Sequence, residues 1–123
     1  MFLMGTFKIK FQICNNEKCK ELEGLVDTGA TITKIPKDVL DELGLKPVRK
    51  GKFELSDGRI IERDIGFATI KINIDGKEFV CISPVAFSEK EEEIIIGSVT
   101  LESMGLGVDP VRKKLIEVMF IEK

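Results

Sequence analysis

The chain has 123 residues, of which 43% are hydrophobic and 33% are charged, and its formal net charge is −2. These values predict one globular domain over residues 1–123, and the scattered basic residues and short apolar runs argue against nucleic-acid binding, a signal peptide or a membrane span, so we expect a cytoplasmic protein. The sequence has no histidine, which excludes serine–histidine and cysteine–histidine catalysis and histidine-ligated metals, and we expect no metal or other cofactor.

The first predicted strand covers Phe7 to Cys14, where Phe7, Ile9, Phe11 and Ile13 alternate with the residues between them. A turn at "NNEK" leads to a second strand that ends at Val26, immediately before "DTG". The β-branched "TITKI" predicts a third short strand, and Pro36 is expected to open a short helix that stops at Gly44.

A series of hairpins is predicted from residue 52 to residue 87. Asp57-Gly58 and Asp75-Gly76 are both typical of two-residue turns between strands. Between Phe67 and Ile70 the alternation slips by one residue, which predicts a bulge within residues 66–69. The acidic run "EKEEE" that follows, residues 89–93, is interpreted as a solvated loop.

The last third of the chain begins with "EIIIGS", a short apolar strand that runs into a glycine. Ser98 is expected to cap a short helix that Gly105 closes. A turn at Asp109-Pro110 then precedes a final strand. The sum is an all-β domain with one or two short helices, in a barrel or sandwich form.

Three cysteines, Cys14, Cys19 and Cys81, occur without a C-x-x-C pair. Cys14 and Cys19 flank the predicted "NNEK" turn, so a bridge across a hairpin is one arrangement. In a reducing compartment free thiols are the usual state, and we predict that all three cysteines are free.

Asp27 stands at the end of an apolar run, where a carboxylate loses part of its hydration on folding. The simplest interpretation is a turn aspartate that bonds its own backbone. The residues around it favour a second interpretation. "LVDTGAT", the hairpins that follow and "IIIG" leading into a short helix resemble the retropepsin-like aspartic proteases, and most closely the small single-domain prokaryotic and archaeal members of that group.

The resemblance implies a closed barrel or sandwich that works as a homodimer, because "DTG" occurs once in the chain and the mechanism uses two aspartates. Asp27 of each subunit would supply one catalytic carboxylate. Thr28, Gly29 and Ala30 would form the active-site loop and support the dimer. Since Ala30 offers no hydroxyl to the carboxylate, we expect activity at weakly acidic to near-neutral pH.

Two further parts of the site follow from the same resemblance. Ile96 and Gly97 would support the active-site loop, with Gly97 packed where no side chain fits. The hairpin around Asp57-Gly58 would form a flap that closes over an extended peptide or protein substrate. The predicted flap residues are Leu55, Ser56, Asp57, Gly58, Arg59 and Ile60.

The chain also departs from the viral members of the group. Those proteins read D-T-G-A-D and later I-I-G-R, and the acid and arginine pair with each other. Here the two positions hold Thr31 and Ser98, so the dimer must be supported differently. Candidate interface residues are the apolar ones near the two chain ends: Phe2, Leu3, Val118 and Phe120.

The sequence thus predicts an aspartic endopeptidase, a hydrolase that acts as a homodimer without a cofactor. One alternative is a catalytically silent module that keeps the fold for dimerisation or peptide binding. Another is an unrelated small β-barrel whose "DTG" is coincidental.

Overall fold

A computed structural model describes residues 6–123, which form nine strands and two short helices. No helix within this range is long and apolar enough to cross a membrane. In chain order the elements are β1 (Phe7–Asn15), β2 (Lys18–Val26), β3 (Thr33–Pro36), α1 (Lys37–Glu42), β4 (Arg49–Glu54), β5 (Ile60–Ile74), β6 (Lys77–Ser88), β7 (Ile95–Ile96), α2 (Ser98–Met104), β8 (Leu106–Asp109) and β9 (Lys114–Glu117). The prediction of a mostly β protein with a few short helices is confirmed.

Seven strands form one sheet in the order β1-β2-β7-β3-β6-β5-β4. An additional pairing between β1 and β5 joins six of these strands into a closed ring, while β4 lies outside it along β5. Two of the pairings, β2 with β7 and β3 with β6, are parallel. Strands β8 and β9 form a separate hairpin. The ring leaves β4 and the first half of β5 as an arm that extends from it.

Apolar side chains alternate along the strands and fill the interior of the ring, because successive residues of a strand point to opposite faces. Leu40 of α1 and Leu101 of α2 join this core. Full burial of one such side chain stabilises a protein by roughly 1.5–3 kcal/mol. The largest fully buried apolar side chains are Ile13, Ile35, Ile70, Ile72, Ile96, Leu40, Leu101, Val26 and Val85.

Cys14 and Cys19 form a disulfide, so the prediction of three free thiols is wrong for this pair. The two residues are directly opposite each other in the register of β1 and β2, with their Cα atoms 4.1 Å apart. The turn at Asn16 and Glu17 sets this register, and it brings the two sulfur atoms together. Cys81 is free and half-buried, and burial raises the pKa of its thiol.

The two predicted hairpin turns differ from each other. Asp75-Gly76 is a two-residue turn in which both residues have positive φ, 51° and 85°. The prediction of the same turn at Asp57-Gly58 is wrong, because of these two residues only Gly58 has a positive φ. The Gly58 amide donates to the Leu55 carbonyl (2.9 Å) and the Leu55 amide to the Arg59 carbonyl (2.8 Å), which gives a three-residue loop.

The predicted bulge within residues 66–69 is absent from the β5–β6 pairing, which runs without interruption from Ile65 to Ile74. The slip in the pattern has another cause. The first half of β5 buries odd-numbered residues such as Ile65 toward a cleft, whereas the second half buries Ala68 and Ile70 in the core. One regular strand therefore changes the face that it buries.

The predicted start of α2 is wrong by one residue. Gly97 occupies the N-cap position and Ser98 is the first helical residue, with no side-chain bond to the helix. The Ser98 amide donates instead to the Ala30 carbonyl, 2.8 Å away. Gly105 ends the helix in the left-handed conformation (φ 71°), as expected.

Candidate active site

Asp27 follows the buried end of β2, and its backbone is bonded on both sides. Its amide donates to the Ile96 carbonyl (3.0 Å), and its carbonyl accepts the Ala30 amide (3.1 Å). The Gly29 amide donates to carboxylate Oδ1 of Asp27 over 2.9 Å. The side chain is half-buried, and Thr28 beside it is exposed. The loop therefore holds one carboxylate oxygen while the side chain keeps some access to solvent.

Gly97 lies directly beneath this loop, at the junction of β7 and α2. A Cβ atom at this position would stand 2.8 Å from the Thr31 carbonyl oxygen and 2.9 Å from the Ala30 carbonyl oxygen. The next two amides bond the same loop: Ser98 donates to Ala30 (2.8 Å) and Val99 donates to Thr31 (3.0 Å). Close backbone contact thus replaces any side-chain bridge between Thr31 and Ser98.

A chain of buried hydroxyls supports this junction from below, and no pattern in the sequence indicates it. The Gly97 amide donates to Thr33 Oγ1 (3.1 Å), which lies 2.5 Å from Thr100 Oγ1. Thr100 Oγ1 is in turn 2.7 Å from Ser83 Oγ, and Ser83 donates to the Pro84 carbonyl (3.1 Å). Because each hydroxyl carries one hydrogen, Thr33 must donate to Thr100 and Thr100 to Ser83.

The predicted flap connects β4 and β5 and is held mainly by its own short-range bonds. The Asp57 carboxylate accepts the Arg59 backbone amide (3.0 Å) and pairs with the Arg59 guanidinium (2.7 Å). These bonds lower the pKa of Asp57, the backbone bond having the larger effect. Leu55 is half-buried, whereas the side chains of residues 56–60 are exposed.

A cleft of about 520 Å³ separates the active-site loop from the β4–β5 arm. One wall contains residues of the loop and of β3, and the other contains residues of the arm. Of the predicted flap only Leu55 is part of the lining. The lining residues are Gly29, Ala30, Thr31, Ile32, Lys34, Arg49, Gly51, Lys52, Phe53, Glu54, Leu55, Arg63, Ile65, Ala86 and Ile95.

A family model described as aspartyl protease matches residues 9–100. The chain belongs to this retropepsin-like aspartyl protease family. A comparison with curated proteins gives no match. The matched segment contains the Asp27 loop, the whole β4–β5 arm and Gly97, so the family assignment and the cleft concern the same part of the chain.

An ion-pair cluster joins the two walls of the cleft in this aspartyl protease family member. Arg63 of β5 donates two bonds to the Glu92 carboxylate (2.9 and 2.8 Å), and Lys34 Nζ of β3 lies 3.2 Å from the same carboxylate. The Arg63 bonds are the largest cause that lowers the pKa of Glu92 to about 2. Glu92 is therefore an anion over the whole physiological pH range.

The interpretation of residues 89–93 as a solvated loop is wrong for Glu92. Its carboxylate also accepts the Glu89 amide (2.8 Å), which fixes the loop before β7. Lys34 could have been noticed in the sequence, since it alternates with Thr33 and Ile35 and so must face away from the core. Nothing in the sequence pairs Arg63 with Glu92.

Two of the four predicted interface residues can be placed. Val118 and Phe120 are exposed, with Phe120 at 74%. Phe2 and Leu3 lie outside the described residues. The exposed apolar residues at this end of the chain form a continuous run: Val118, Met119, Phe120 and Ile121.

Proposed function

We propose that the protein is an aspartic endopeptidase in which two copies of the chain form one active site. The observation that carries this proposal is the position of Asp27, whose loop is fixed on Ile96 and Gly97 and continues into one wall of the cleft. Membership of the aspartyl protease family supports protease activity. Each chain contributes one such carboxylate, so the second has to come from a partner subunit.

In the proposed dimer the two Asp27 carboxylates lie about 3 Å apart and share one proton, because two adjacent negative charges are costly. The ionised carboxylate takes a proton from a bound water, which attacks the peptide carbonyl. The protonated one donates to the carbonyl oxygen, and the amine leaves with a proton without any covalent intermediate. Gly29, whose amide already bonds Asp27, orients the carboxylate.

The dimer is supported by surfaces that the single chain leaves open. Thr28 is exposed beside Asp27, in a position to bond its symmetry-related copy. The exposed apolar run Val118–Ile121 offers a second contact, since adjacent large apolar side chains on a surface are typical of protein interfaces. A two-fold axis through the Asp27 loops would use both surfaces in each subunit.

The proposed substrate is an extended peptide or an unfolded protein segment. The cleft is an open groove between the loop and the β4–β5 arm, with apolar surface from Ile32, Phe53 and Ile65. An extended chain placed there can bond the backbone of the arm as an added strand. Residues 55–60 would close over it and exclude water.

The first test replaces Asp27 with asparagine, which keeps the size of the side chain but removes its charge. We expect cleavage of a denatured protein by the wild type, inhibition by pepstatin, and at least about a thousandfold loss in Asp27→Asn. Asp75→Asn is the matched control, because asparagine also tolerates the left-handed turn at that position. Cleavage that survives in Asp27→Asn would contradict the mechanism.

The second test asks whether one active site needs two chains. Wild type and Asp27→Asn are unfolded together, refolded at equal amounts and assayed at constant total protein. If each site takes one aspartate from each of two subunits, random pairing leaves about one quarter of the dimers with both Asp27 residues, so the cleavage activity falls to about one quarter. A fall of the activity to only one half would mean that each chain works alone.

The alternative, a catalytically silent peptide-binding module, predicts a different result. In that case the wild type would bind unfolded chains as well as Asp27→Asn does, and neither would cleave them. Fluorescence anisotropy with a labelled peptide, measured beside the cleavage assay, separates the two functions.

A further inference from the structure

We propose that the cleft selects peptides that carry a glutamate or aspartate side chain close to the cleaved bond, and that Lys34 and Arg63 recognise that carboxylate. This inference rests on the proposed function, because it names the substrate class of the same cleft. It adds a specificity-determining pair of residues on the two facing walls.

The first support is the charge of the cleft. Its lining contains four basic residues but only one acidic residue, Glu54, although the whole chain has a net charge of −2. The basic ones are Lys34, Arg49, Lys52 and Arg63. Low-dielectric walls of one charge concentrate a ligand of the opposite charge.

The second support is the imbalance inside the ion-pair cluster. Among residues 6–123, Glu92 is the carboxylate that pairs with both Lys34 and Arg63. One negative charge therefore faces two positive charges, and the bidentate bonds of Arg63 already occupy both oxygens of Glu92. Although both cations bond Glu92, the three side chains together therefore keep a net charge of +1.

The third support is that the two cations are partly withdrawn from water. The side chain of Arg63 is 13% exposed and that of Lys34 is 25% exposed. Since Arg63 is held by Glu92, its remaining N–H groups are already oriented before a ligand arrives. A carboxylate bound to prepositioned, partly dehydrated cations gains more than one bound to mobile surface lysines.

The fourth support is the distance along the chain from the catalytic loop. Lys34 lies on β3, which begins three residues after Ala30, and both residues line the same cleft. A peptide that crosses Asp27 in an extended conformation therefore passes Lys34 within a few residues of its reacting bond. Arg63 approaches the same segment from the opposite wall.

The test first maps the bonds that the wild type cleaves in a denatured protein by mass spectrometry. The best-cleaved sequence is then synthesised with glutamate or glutamine at each of four positions on either side of the bond. Acetylated and amidated ends leave the side chain as the only variable carboxylate. We expect kcat/KM to be about tenfold higher for glutamate at one or more positions, the size of one charge-assisted bond.

Variants then assign this preference to the cluster. Lys34→Met should reduce the glutamate-to-glutamine ratio several-fold, whereas Lys34→Arg should keep it. Lys20→Met is the matched control: Lys20 also lies on a strand and pairs with a glutamate (Glu42, 2.8 Å), but it is outside the cleft.

The outcomes separate this inference from the proposed function. Equal kcat/KM for glutamate and glutamine at every position overturns the inference but leaves the protease intact. If the wild type cleaves nothing, the proposed function fails, and the inference is decided by binding to Asp27→Asn of unstructured peptides of one fixed sequence that carry glutamate or glutamine at each position in turn. Tighter binding of the glutamate peptides, reduced in the double variant with Lys34→Met, supports the subsite; equal binding or none overturns it.

Discussion

The two sides of the cleft are each stabilised by a different kind of hydrogen bond. Beneath Asp27, the backbone bonds of Gly97 and its neighbours and the hydroxyl of Thr33 connect segments that are far apart in the sequence. At the flap tip, the described hydrogen bonds join residues at most four positions apart, such as Leu55 with Gly58. The loop that carries the carboxylate is therefore part of the core, whereas the tip is a local structure.

This difference matches what each wall would have to do in a protease. A catalytic carboxylate must stay within a fraction of an ångström of its working position, and buried long-range bonds provide that. A flap must open and close, so it can only have weak connections to the rest of the fold. The cluster of Arg63, Glu92 and Lys34 forms the joint between the β4–β5 arm and the wall that contains β3.

The largest expected effect comes from adding one methyl group beneath the Asp27 loop. Gly97→Ala would place a Cβ less than 3.0 Å from two carbonyl oxygens of the Asp27 loop, so the loop must shift. We expect a loss of about 3 kcal/mol in the free energy of unfolding and loss of cleavage. Urea denaturation and the peptide assay measure the two effects.

Gly58→Ala is the matched change at the flap tip. No atom lies within 4 Å of its added Cβ, and the strain comes only from the positive φ of 88°. We expect a loss of roughly 1 kcal/mol, with cleavage retained. Equal losses of stability and activity in the two variants would show that the two walls are not held differently.

The parts of the molecule that the sequence predicted correctly depend on local signals. Alternation placed the strands, Gly105 ended a helix, and Asp75-Gly76 made a two-residue turn. The "DTG" motif and the apolar–glycine motif identified the family. These features depend on a few adjacent residues, or on a resemblance that covers them.

Most of what the sequence missed concerns relations between distant residues or faces, whereas the errors at the Asp57-Gly58 turn and at the start of α2 are local. Thr33 and Thr100 are 67 positions apart, and no pattern indicates that their hydroxyls meet. The Arg63–Glu92 pair spans 29 positions. The disulfide joins residues directly opposite each other in one hairpin, so the local turn could have indicated it, whereas a reducing compartment predicts free thiols.

A medium effect is expected from breaking the buried hydroxyl chain. Thr100→Val keeps the shape of the side chain but leaves the Thr33 hydroxyl hydrogen and one Ser83 lone pair without partners in a buried site. We expect a loss of about 2 kcal/mol in the free energy of unfolding. Thr69→Val, on a half-buried position of β5, should change it by less than about 0.5 kcal/mol. If Thr100→Val loses no more stability than this control, the chain of buried hydroxyls contributes nothing to the free energy of unfolding.

The smallest effect is expected at the joint between the walls, and it depends on pH. The pKa of Glu92 is about 2 in the folded protein, below its ordinary value of 4.5, chiefly because of the Arg63 bonds. Its contribution to stability is therefore complete above about pH 4.5 and is lost as the pH falls toward 2. Because the carboxylate is 28% exposed, solvent screens the pair, and we expect Glu92→Gln to lose about 1 kcal/mol at pH 7.

The pH series decides whether the joint works through this charge. Urea unfolding of the wild type and Glu92→Gln should give stabilities that differ at pH 7 and converge as the pH falls through about 2, where the Glu92 carboxyl group becomes protonated. The neighbouring exposed Glu91 serves as control, and Glu91→Gln should show no such pH-dependent difference. A difference for Glu92→Gln that stays constant down to pH 2 would assign the loss to packing, and the two walls would then be joined by shape rather than by charge.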